Sequence, residues 1–203
     1  KSFANDPYGR NLWGVPPKGC ADYAFQQHIE KSLDPQNGRS ITLWPHGVLF
    51  RDSEAEMRKK MIEQDLVECV IGLGPNLFYN SPMEACLLIT KTNKEPHKKG
   101  KILFINAVNE VKQEKTMGYL EQKHIDKIFG AYQKFENQEN FASLKTIEDL
   151  IANKGNIAIS LYVQPKKNGE NPILPFEEAF ENWEVSGRKL KTSMSELFKI
   201  LED

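Results

Sequence analysis

Short apolar runs alternate with amphipathic segments along the first hundred residues. Apolar positions recur at helical spacing from Cys20 to Leu33, and Asp34-Pro35 ends that predicted helix. Ser53 and Glu56 have capping-box spacing, which predicts a second helix through about Gln64. Strands are predicted at residues 40–44, 66–71, 86–90 and 101–106. Helices that alternate with short apolar strands are typical of a doubly wound α/β sheet.

The pattern changes after residue 112. Ile125, Ile128, Phe129 and Tyr132 form a helical stripe, and Thr146 has the character of a cap for a short helix through Ala152. A Pro/Gly-rich linker is predicted at residues 164–175, followed by a helix from about Leu190 to Leu201. We therefore predict an α/β part at residues 1–112 and a mainly helical extension at residues 113–203.

Composition excludes several classes of protein. The 203 residues are 39% hydrophobic and 27% charged, which excludes a disordered chain and a disulfide-rich miniprotein. The net charge of −1 provides no global basic field, so nucleic-acid binding requires a local patch or a partner. No apolar run reaches the ~18 residues of a membrane span. Cys20, Cys69 and Cys86 form no CxxC pair and are interpreted as buried thiols in a reducing cytoplasm.

The segment with the most informative chemistry is Asn5-Asp6-Pro7-Tyr8, which follows an apparent strand end at residues 1–4. A side-chain amide oxygen and a backbone carbonyl can accept both hydrogens of a base amino group, drawing its nitrogen towards tetrahedral geometry. An aromatic ring can stack on a base that has left the duplex, and proline stiffens the turn. The alternative is an ordinary Asn-Asp-Pro turn, which occurs in many proteins.

A longer ordered series of residues supports the catalytic interpretation. It includes Ala4 to Gly9, Trp13 with Pro16-Pro17, Ala21 to Phe25, Trp44 to Arg51, and Ile71 to Tyr79. With this series the chain resembles the methylation subunit of type I restriction–modification systems, an adenine-specific DNA methyltransferase. The resemblance covers most of residues 3–165. It implies the C-terminal half of a Rossmann-like, S-adenosylmethionine-dependent methyltransferase sheet, with a helical extension. Because the chain starts at Lys1, we expect it to be a fragment.

The resemblance assigns roles to the four residues of the turn. Asn5 would bind the target amino group through its side chain, and the carbonyl of Asp6 would be the second acceptor. Tyr8 would stack on the flipped adenine, and Pro7 would stiffen the turn. The family has proline where this chain has Asp6. The departure leads to the hypothesis that methyl transfer is weakened or lost, and that Asp6→Pro would increase it.

The cofactor implied by the resemblance is S-adenosylmethionine. In the family it sits on a Gly-rich turn that precedes the catalytic tetrapeptide, and residues 1–4 leave no room for such a turn. Asn5 would touch only the edge of the cofactor site, and its main part would be absent from this chain. Gly72-Leu73-Gly74 lacks the third glycine and the helix start of a phosphate-binding loop, so we interpret it as an ordinary loop. The isolated 203 residues are expected to show no measurable methyl transfer.

Other candidate residues are assigned weaker roles. No His or Cys spacing indicates a metal site. His28 is predicted to be a core residue, whereas His46 fits either a loop role or a catalytic one. The lysine-rich segment 91–101 carries a net charge of +4 and fits either a solvated hairpin or contact with DNA phosphate. Phe78 and Tyr79 are interpreted as core aromatics rather than base-stacking ones.

Partners also follow from the resemblance. The implied partners are double-stranded DNA, a specificity subunit and a restriction subunit, with no membrane and a cytoplasmic location. The terminal helix fits either docking on the chain's own body or contact with the specificity subunit. A second hypothesis keeps the fold but not the chemistry. It describes a non-catalytic assembly module in which Asp6 marks degeneration.

Overall fold

The computed structural model describes residues 3–79, 81–115, 117–164 and 176–202. The chain divides into two compact units, Lys1–Lys166 and Lys167–Asp203. The first unit contains a five-stranded sheet with its helices, and the second contains one long helix. Except for Gln164, the predicted linker at residues 164–175 lies outside the described residues.

The elements follow one another as the sequence pattern predicts over most of the first hundred residues. In chain order they are α1 (Asp22–Ser32), β1 (Arg39–Pro45), α2 (Ala55–Glu63), β2 (Val67–Leu73), β3 (Ala85–Lys91), β4 (Lys101–Ala107), β5 (Lys112–Gln113), β6 (Gly118–Tyr119), α3 (Gln122–Lys134), β7 (Ala142–Thr146), α4 (Ile147–Ala152), α5 (Ile159–Tyr162) and α6 (Phe176–Glu202). The four predicted strands are confirmed as β1 to β4. The predicted Thr146 cap is confirmed too, because its hydroxyl accepts a hydrogen bond from the Asp149 backbone N–H at 3.2 Å.

The main sheet has the strand order β1-β3-β2-β4-β7. Strand β3 runs antiparallel to both of its neighbours, β1 and β2. Strands β2 and β4 are parallel, and β7 is antiparallel to β4. The predicted α/β sheet is confirmed, and its strands are mixed in direction because a short connection joins β2 directly to β3.

The core lies on both faces of this sheet. All seven residues of β2 are buried, and alternate residues of a strand point to opposite faces. One face carries the apolar cluster that includes Trp13, Tyr23, Met61, Phe104 and Leu150. The other carries the cluster that includes Ile71, Leu103, Ile105, Ile128 and Phe141. The helices therefore cover the sheet from two sides.

Two local predictions for the first half of the chain are wrong. Residues Phe3–Asn5 form a short 3-10 helix rather than the end of a strand, since a strand requires a neighbouring strand for its backbone hydrogen bonds. Ser53 lies within another 3-10 helix, Asp52–Glu54, and α2 begins after Glu54 with no side-chain cap. The predicted Ser53–Glu56 capping box therefore does not form.

The buried face of α1 also differs from the prediction. Its buried residues are Tyr23, Gln26, Gln27 and Glu30, whereas His28 is exposed. Gln26 is buried here with partners that β1 supplies, whereas the side chain of Gln27 bonds Trp13 and that of Glu30 bonds Gln26. The Gln26 side-chain carbonyl accepts hydrogen bonds from the Trp44 indole N–H at 2.9 Å and from the Thr42 hydroxyl at 3.1 Å.

The sheet continues past residue 112. Strand β7 adds to its edge through pairing with β4, and the β5–β6 hairpin precedes α3. The sequence pattern did not predict β7, because its residues are mostly half-buried. The division of the chain into an α/β part at residues 1–112 and a mainly helical extension at residues 113–203 stays a prediction. Within the described residues, no helix has the length and apolar character to span a bilayer.

Candidate active site

The Asn5–Tyr8 turn lies on the surface of the first unit. Both Asn5 and Tyr8 are exposed, with 73% of Tyr8 accessible to solvent. The Gly9 backbone N–H donates a hydrogen bond to the Asp6 carbonyl at 3.3 Å. Gly9 has a φ of +63°, a left-handed conformation that glycine adopts without steric cost. The turn therefore presents an amide side chain and an aromatic ring to solvent.

Asp6 and Arg10 form a tightly bonded pair beneath this turn. The Asp6 carboxylate accepts hydrogen bonds from the Arg10 backbone N–H at 2.7 Å and from Arg10 Nε at 3.0 Å. A second guanidinium nitrogen completes the pair. These hydrogen bonds from Arg10 lower the pKa of Asp6, and the same carboxylate raises the pKa of Arg10. The pair is therefore ionised at neutral pH.

Trp13 anchors the loop that follows the turn. It is 1% exposed, and its backbone N–H donates to Gln27 Oε1 of α1 at 2.6 Å. Its indole N–H donates to the Gln64 side chain at 2.8 Å, and Lys60 of α2 donates to its carbonyl at 3.0 Å. The turn is therefore tied, within a few residues, to both helices on this face of the sheet.

His28 and His46 have different environments. His28 was predicted to be a core residue, and that prediction is wrong. It lines an open recess of about 430 Å³ together with Tyr8, Arg10, Lys31 and Ser32. The His46 ring lies at the end of β1, where its Nε2 is 2.9 Å from the Ala85 carbonyl oxygen. This contact ties His46 to the backbone of β3, which favours the loop role.

The Gly72-Leu73-Gly74 segment packs against the chain itself. A Cβ atom on Gly72 would lie 2.9 Å from Ile159 Cδ1, and one on Gly74 would lie 2.7 Å from the Val108 carbonyl oxygen. Glycine is needed here for close packing. The segment therefore offers no cradle for the phosphate of a nucleotide or for S-adenosylmethionine. The prediction of an ordinary loop is wrong for Gly72 and Leu73, which are the last residues of β2, and holds only from Gly74 onward.

Three lysines of residues 91–101 pair with carboxylates of the first unit. Lys94 is buried and lies 2.6 Å from Asp65. Lys98 is also buried, lies 3.3 Å from Glu95 and packs over the rings of Tyr132 and Phe135. Lys91 lies 3.1 Å from Glu95. These contacts give Lys91, Lys94 and Lys98 a structural role, whereas Lys99 and Lys101 are exposed, so both the hairpin and the DNA-phosphate interpretations stay predictions.

Aromatic and thiol side chains separate into buried and exposed groups. Phe78 packs at the edge of a core cluster as predicted, but Tyr79 is 88% exposed, so its prediction as a core residue is wrong. Cys69 and Cys86 are buried as predicted, and burial raises the pKa of both thiols. In the described part of the chain, no three His, Cys, Asp or Glu side chains are placed to hold a metal ion.

Comparison with solved structures identifies the class of fold. The type I restriction–modification methyltransferase subunit from Streptococcus thermophilus matches with a TM-score of 0.74 and 33% identity. The match covers 81% of this chain and 35% of that structure. The M protein of the type I restriction enzyme EcoKI matches in fold with a TM-score of 0.59 at 13% identity. The fold is therefore the Rossmann-like α/β fold of these methyltransferase subunits.

The family follows from the sequence comparisons. The profile of the N-6 DNA methylase family matches residues 1–171, and the chain belongs to this family. The MjaVIII type I methylase subunit of Methanocaldococcus jannaschii is 36% identical over 164 residues, covering 79% of this chain and 28% of that protein. The HindI type I methylase subunit of Haemophilus influenzae is 32% identical over 198 residues, covering 90% of this chain and 42% of that protein.

The chain spans less than half the length of these two curated relatives. Membership in a methylase family confirms the resemblance stated above and does not favour the alternative of a non-catalytic assembly module. The roles of Asn5, Asp6, Pro7 and Tyr8 stay predictions.

Sequence reasoning missed two features of functional interest. One is Arg10, whose pairing with Asp6 no helical spacing could have indicated, because residues 6–10 form a turn rather than a helix. The other is a seam along α6, where apolar or small residues recur at alternating intervals of four and three. Its members are Phe176, Phe180, Trp183, Gly187, Leu190, Met194, Leu197 and Leu201. The predicted helix at residues 190–201 is confirmed as the end of α6, which begins 14 residues earlier.

Proposed function

We propose that the chain is part of the modification subunit of a type I restriction–modification system. That subunit transfers a methyl group from S-adenosylmethionine to the exocyclic amino group of adenine in double-stranded DNA. The observation that carries the proposal is the exposed Asn5–Tyr8 turn, anchored on α1 and α2, in a member of the N-6 DNA methylase family.

The turn offers two acceptors and one stacking surface for an adenine that has left the duplex. The Asn5 side-chain oxygen accepts one amine hydrogen, and the Asp6 carbonyl accepts the other. That carbonyl oxygen receives the Gly9 N–H on one lone pair, and its second lone pair remains available. The exposed ring of Tyr8 stacks on the base. Together these contacts align the nitrogen lone pair for attack, a contribution of position rather than of acid–base chemistry.

The cofactor supplies the methyl group on its sulfonium centre. The Gly72–Gly74 segment is packed against Ile159 and Val108, so the residues of this segment do not fit the cofactor. We therefore propose that Asn5 meets only the edge of the cofactor site, and that residues of the whole protein outside these 203 hold its main part.

The partners in this proposal are duplex DNA, a specificity subunit and a restriction subunit, in the cytoplasm. A net charge of −1 fits a subunit that shares its DNA-binding surface with a partner. The long helix α6 supports the contact with the specificity subunit. Its seam residues Trp183, Leu190 and Met194 are 70%, 62% and 48% exposed, respectively. An apolar seam with 4-3 spacing along 27 residues is typical of a helix that packs against another helix.

Substitutions in the turn test this proposal in the whole natural protein, assembled with its specificity subunit. We expect Tyr8→Ala to reduce methyl transfer about 10- to 100-fold, because base–aromatic stacking contributes about 1–3 kcal/mol. Tyr8→Phe keeps the stacking ring and should retain activity. Asn5→Ala should reduce transfer by about 100-fold or more, because it removes a positioned hydrogen-bonding group. Transfer is measured as labelled methyl groups incorporated into duplex DNA that contains the target sequence.

Tyr79 provides the matched control, since it is an exposed tyrosine outside the turn. Tyr79→Ala should leave methyl transfer unchanged. Full activity of Asn5→Ala, or an equal loss in Tyr79→Ala and Tyr8→Ala, would contradict the assignment of the turn as the active site.

A further inference from the structure

Asp6 is the residue at which the turn departs from the family pattern, and its side chain has a defined environment. Its carboxylate is only 2% exposed, although the turn lies on the surface. Three Arg10 donors converge on it, namely the backbone N–H at 2.7 Å, Nε at 3.0 Å and one terminal guanidinium nitrogen. An ordinary solvated i,i+4 ion pair has an exposed carboxylate and contributes little to rigidity. The Asp6 carboxylate is instead buried, and it is bonded to the Arg10 backbone as well as to the Arg10 side chain.

The same guanidinium contacts the aromatic residue of the turn. The Arg10 guanidinium carbon lies 5.1 Å from the centroid of the Tyr8 ring, within the range of a cation–π interaction. Tyr8 remains 73% exposed, so this contact holds the ring and leaves most of its surface accessible. Asp6, Arg10 and Tyr8 are therefore connected in series. The carboxylate orients the guanidinium, and the guanidinium orients the ring.

A proline at position 6 would stiffen the turn by fixing its own φ. Asp6 has no such constraint on φ, but its side chain bonds the backbone four residues further along and closes the turn from the inside. We propose that Asp6 and Arg10 form a clamp that replaces the rigidity of the missing proline and orients the Tyr8 ring for stacking on the extruded base. Both are positioning residues, and the role rests on the proposed function.

Charge in the surroundings is compatible with this clamp. Lys31, His28 and Ser32 line the same recess as Tyr8 and Arg10, and among the residues that the structure describes Asp6 is the one carboxylate bonded to Arg10. The hydrogen bonds from Arg10 lower the pKa of Asp6, so the carboxylate keeps its charge across the neutral range. The clamp therefore stays closed at the pH at which methyl transfer would be measured.

A double-mutant cycle with proline tests the clamp in the whole natural protein with its specificity subunit. We expect Arg10→Ala and Asp6→Asn each to lower kcat of methyl transfer at least ten-fold, with KM for S-adenosylmethionine unchanged. Asp6→Pro should stay within two-fold of wild type, and adding Arg10→Ala to it should change little. A 2-aminopurine placed at the target adenine should be less quenched in Arg10→Ala, because Tyr8 no longer stacks on it.

Lys59→Ala is the control, because Lys59 forms an exposed i,i+4 pair with Glu63 on α2. The double variant that combines Asp6→Pro with Arg10→Ala also tests folding, because it lacks both members of the clamp. An active double variant shows that neither residue is required for the fold. The clamp is overturned by full activity of Arg10→Ala, by an equal loss from Arg10→Ala in both backgrounds, or by an Asp6→Pro variant several-fold more active than wild type. The last result would favour the hypothesis that Asp6 simply weakens the site.

An NMR measurement on the whole natural protein separates the clamp from the catalytic proposal. In carbon-13 NMR, the Asp6 carboxyl should titrate at a lower pH than in Arg10→Ala, and the Tyr8 ring resonances should shift in that variant. An unchanged Asp6 titration or unchanged Tyr8 resonances would refute the clamp, whatever the activity. A clamp seen by NMR in an assembled protein that transfers no methyl group would refute the proposed function and, with it, the role of the clamp in stacking.

Discussion

Glu30 shows how burial of a single ionisable side chain can lower the stability of this fold. It is 7% exposed, and the Gln26 side-chain amide donates to its Oε1 at 2.7 Å. Its Oε2 is buried, and none of the described residues forms a hydrogen bond with it. Burial raises the pKa of Glu30, and hydrogen bonds from Thr90 and Gln26 offset only part of that effect. The ionised form at neutral pH is therefore less favourable in the folded chain than in the unfolded one.

The pH dependence of stability tests this account. A raised folded-state pKa means that the native protein binds more protons, so stability is lost as pH rises from the unfolded value through the folded one. We expect Glu30→Gln to have a higher free energy of unfolding than wild type at pH 7. The difference should diminish at pH values below the unfolded-state pKa. Urea denaturation at both pH values measures it.

Glu63, exposed on α2, provides the matched control. Glu63→Gln should change stability by less than about 0.5 kcal/mol at either pH, as is usual for surface substitutions. A Glu30→Gln variant that is less stable than wild type at pH 7 would show that the charged carboxylate contributes a favourable interaction.

Secondary-structure elements differ in how completely their own residues determine them. Strands β2 and β4 are nearly continuous apolar runs, and they were predicted within two residues of their bounds. The half-polar β7 has no such pattern, and β4 supplies the hydrogen bonds that make it a strand. Helix α1 was predicted, but its buried face was not, because Thr42 and Trp44 of β1 satisfy the polar side chain of Gln26.

The α6 seam gives a prediction about binding of the specificity subunit. In the whole natural protein we expect Leu190→Glu to weaken binding of the specificity subunit at least ten-fold, because it places a charge in the apolar seam. Thr192 lies two residues further, away from the seam, so Thr192→Glu should bind normally. Isothermal titration calorimetry measures the affinity, and circular dichroism checks that α6 remains helical. Equal binding by both variants would remove α6 from the interface.

The whole chain combines a methyltransferase-type sheet with a candidate catalytic turn. Its first unit brings the turn, α1, α2 and the end of β1 together through side chains that are distant in sequence. Arg58, which is 1% exposed, donates to the carbonyls of Gly155, Arg51 and Val48 and so joins α2 to the segment after α4. The described residues thus form a scaffold for the turn, while the packed Gly72–Gly74 segment provides no cofactor cradle.

Cofactor binding is predicted to differ between the isolated chain and the whole natural protein. We expect the isolated 203-residue chain to show no tight binding of S-adenosylmethionine and no measurable methyl transfer, while the whole natural protein shows both. Isothermal titration calorimetry with the same cofactor preparation on both proteins provides the comparison. Tight binding by the isolated chain would place the main cofactor site within these 203 residues.

Strands β1 to β4, the family and the candidate turn could be predicted from the sequence alone, because apolar runs and an ordered series of short motifs are local properties. Tertiary structure decided which polar groups are buried and what they contact. Lys94 and Lys98 are buried and paired with Asp65 and Glu95, and His28, predicted to be a core residue, is exposed because α1 turns Gln26, Gln27 and Glu30 inward. The Asp6 carboxylate is buried because Arg10 folds back onto it, and its effect on methyl transfer stays a prediction. Burial and charge pairing depend on neighbours that only the folded chain supplies, so no local pattern contains them.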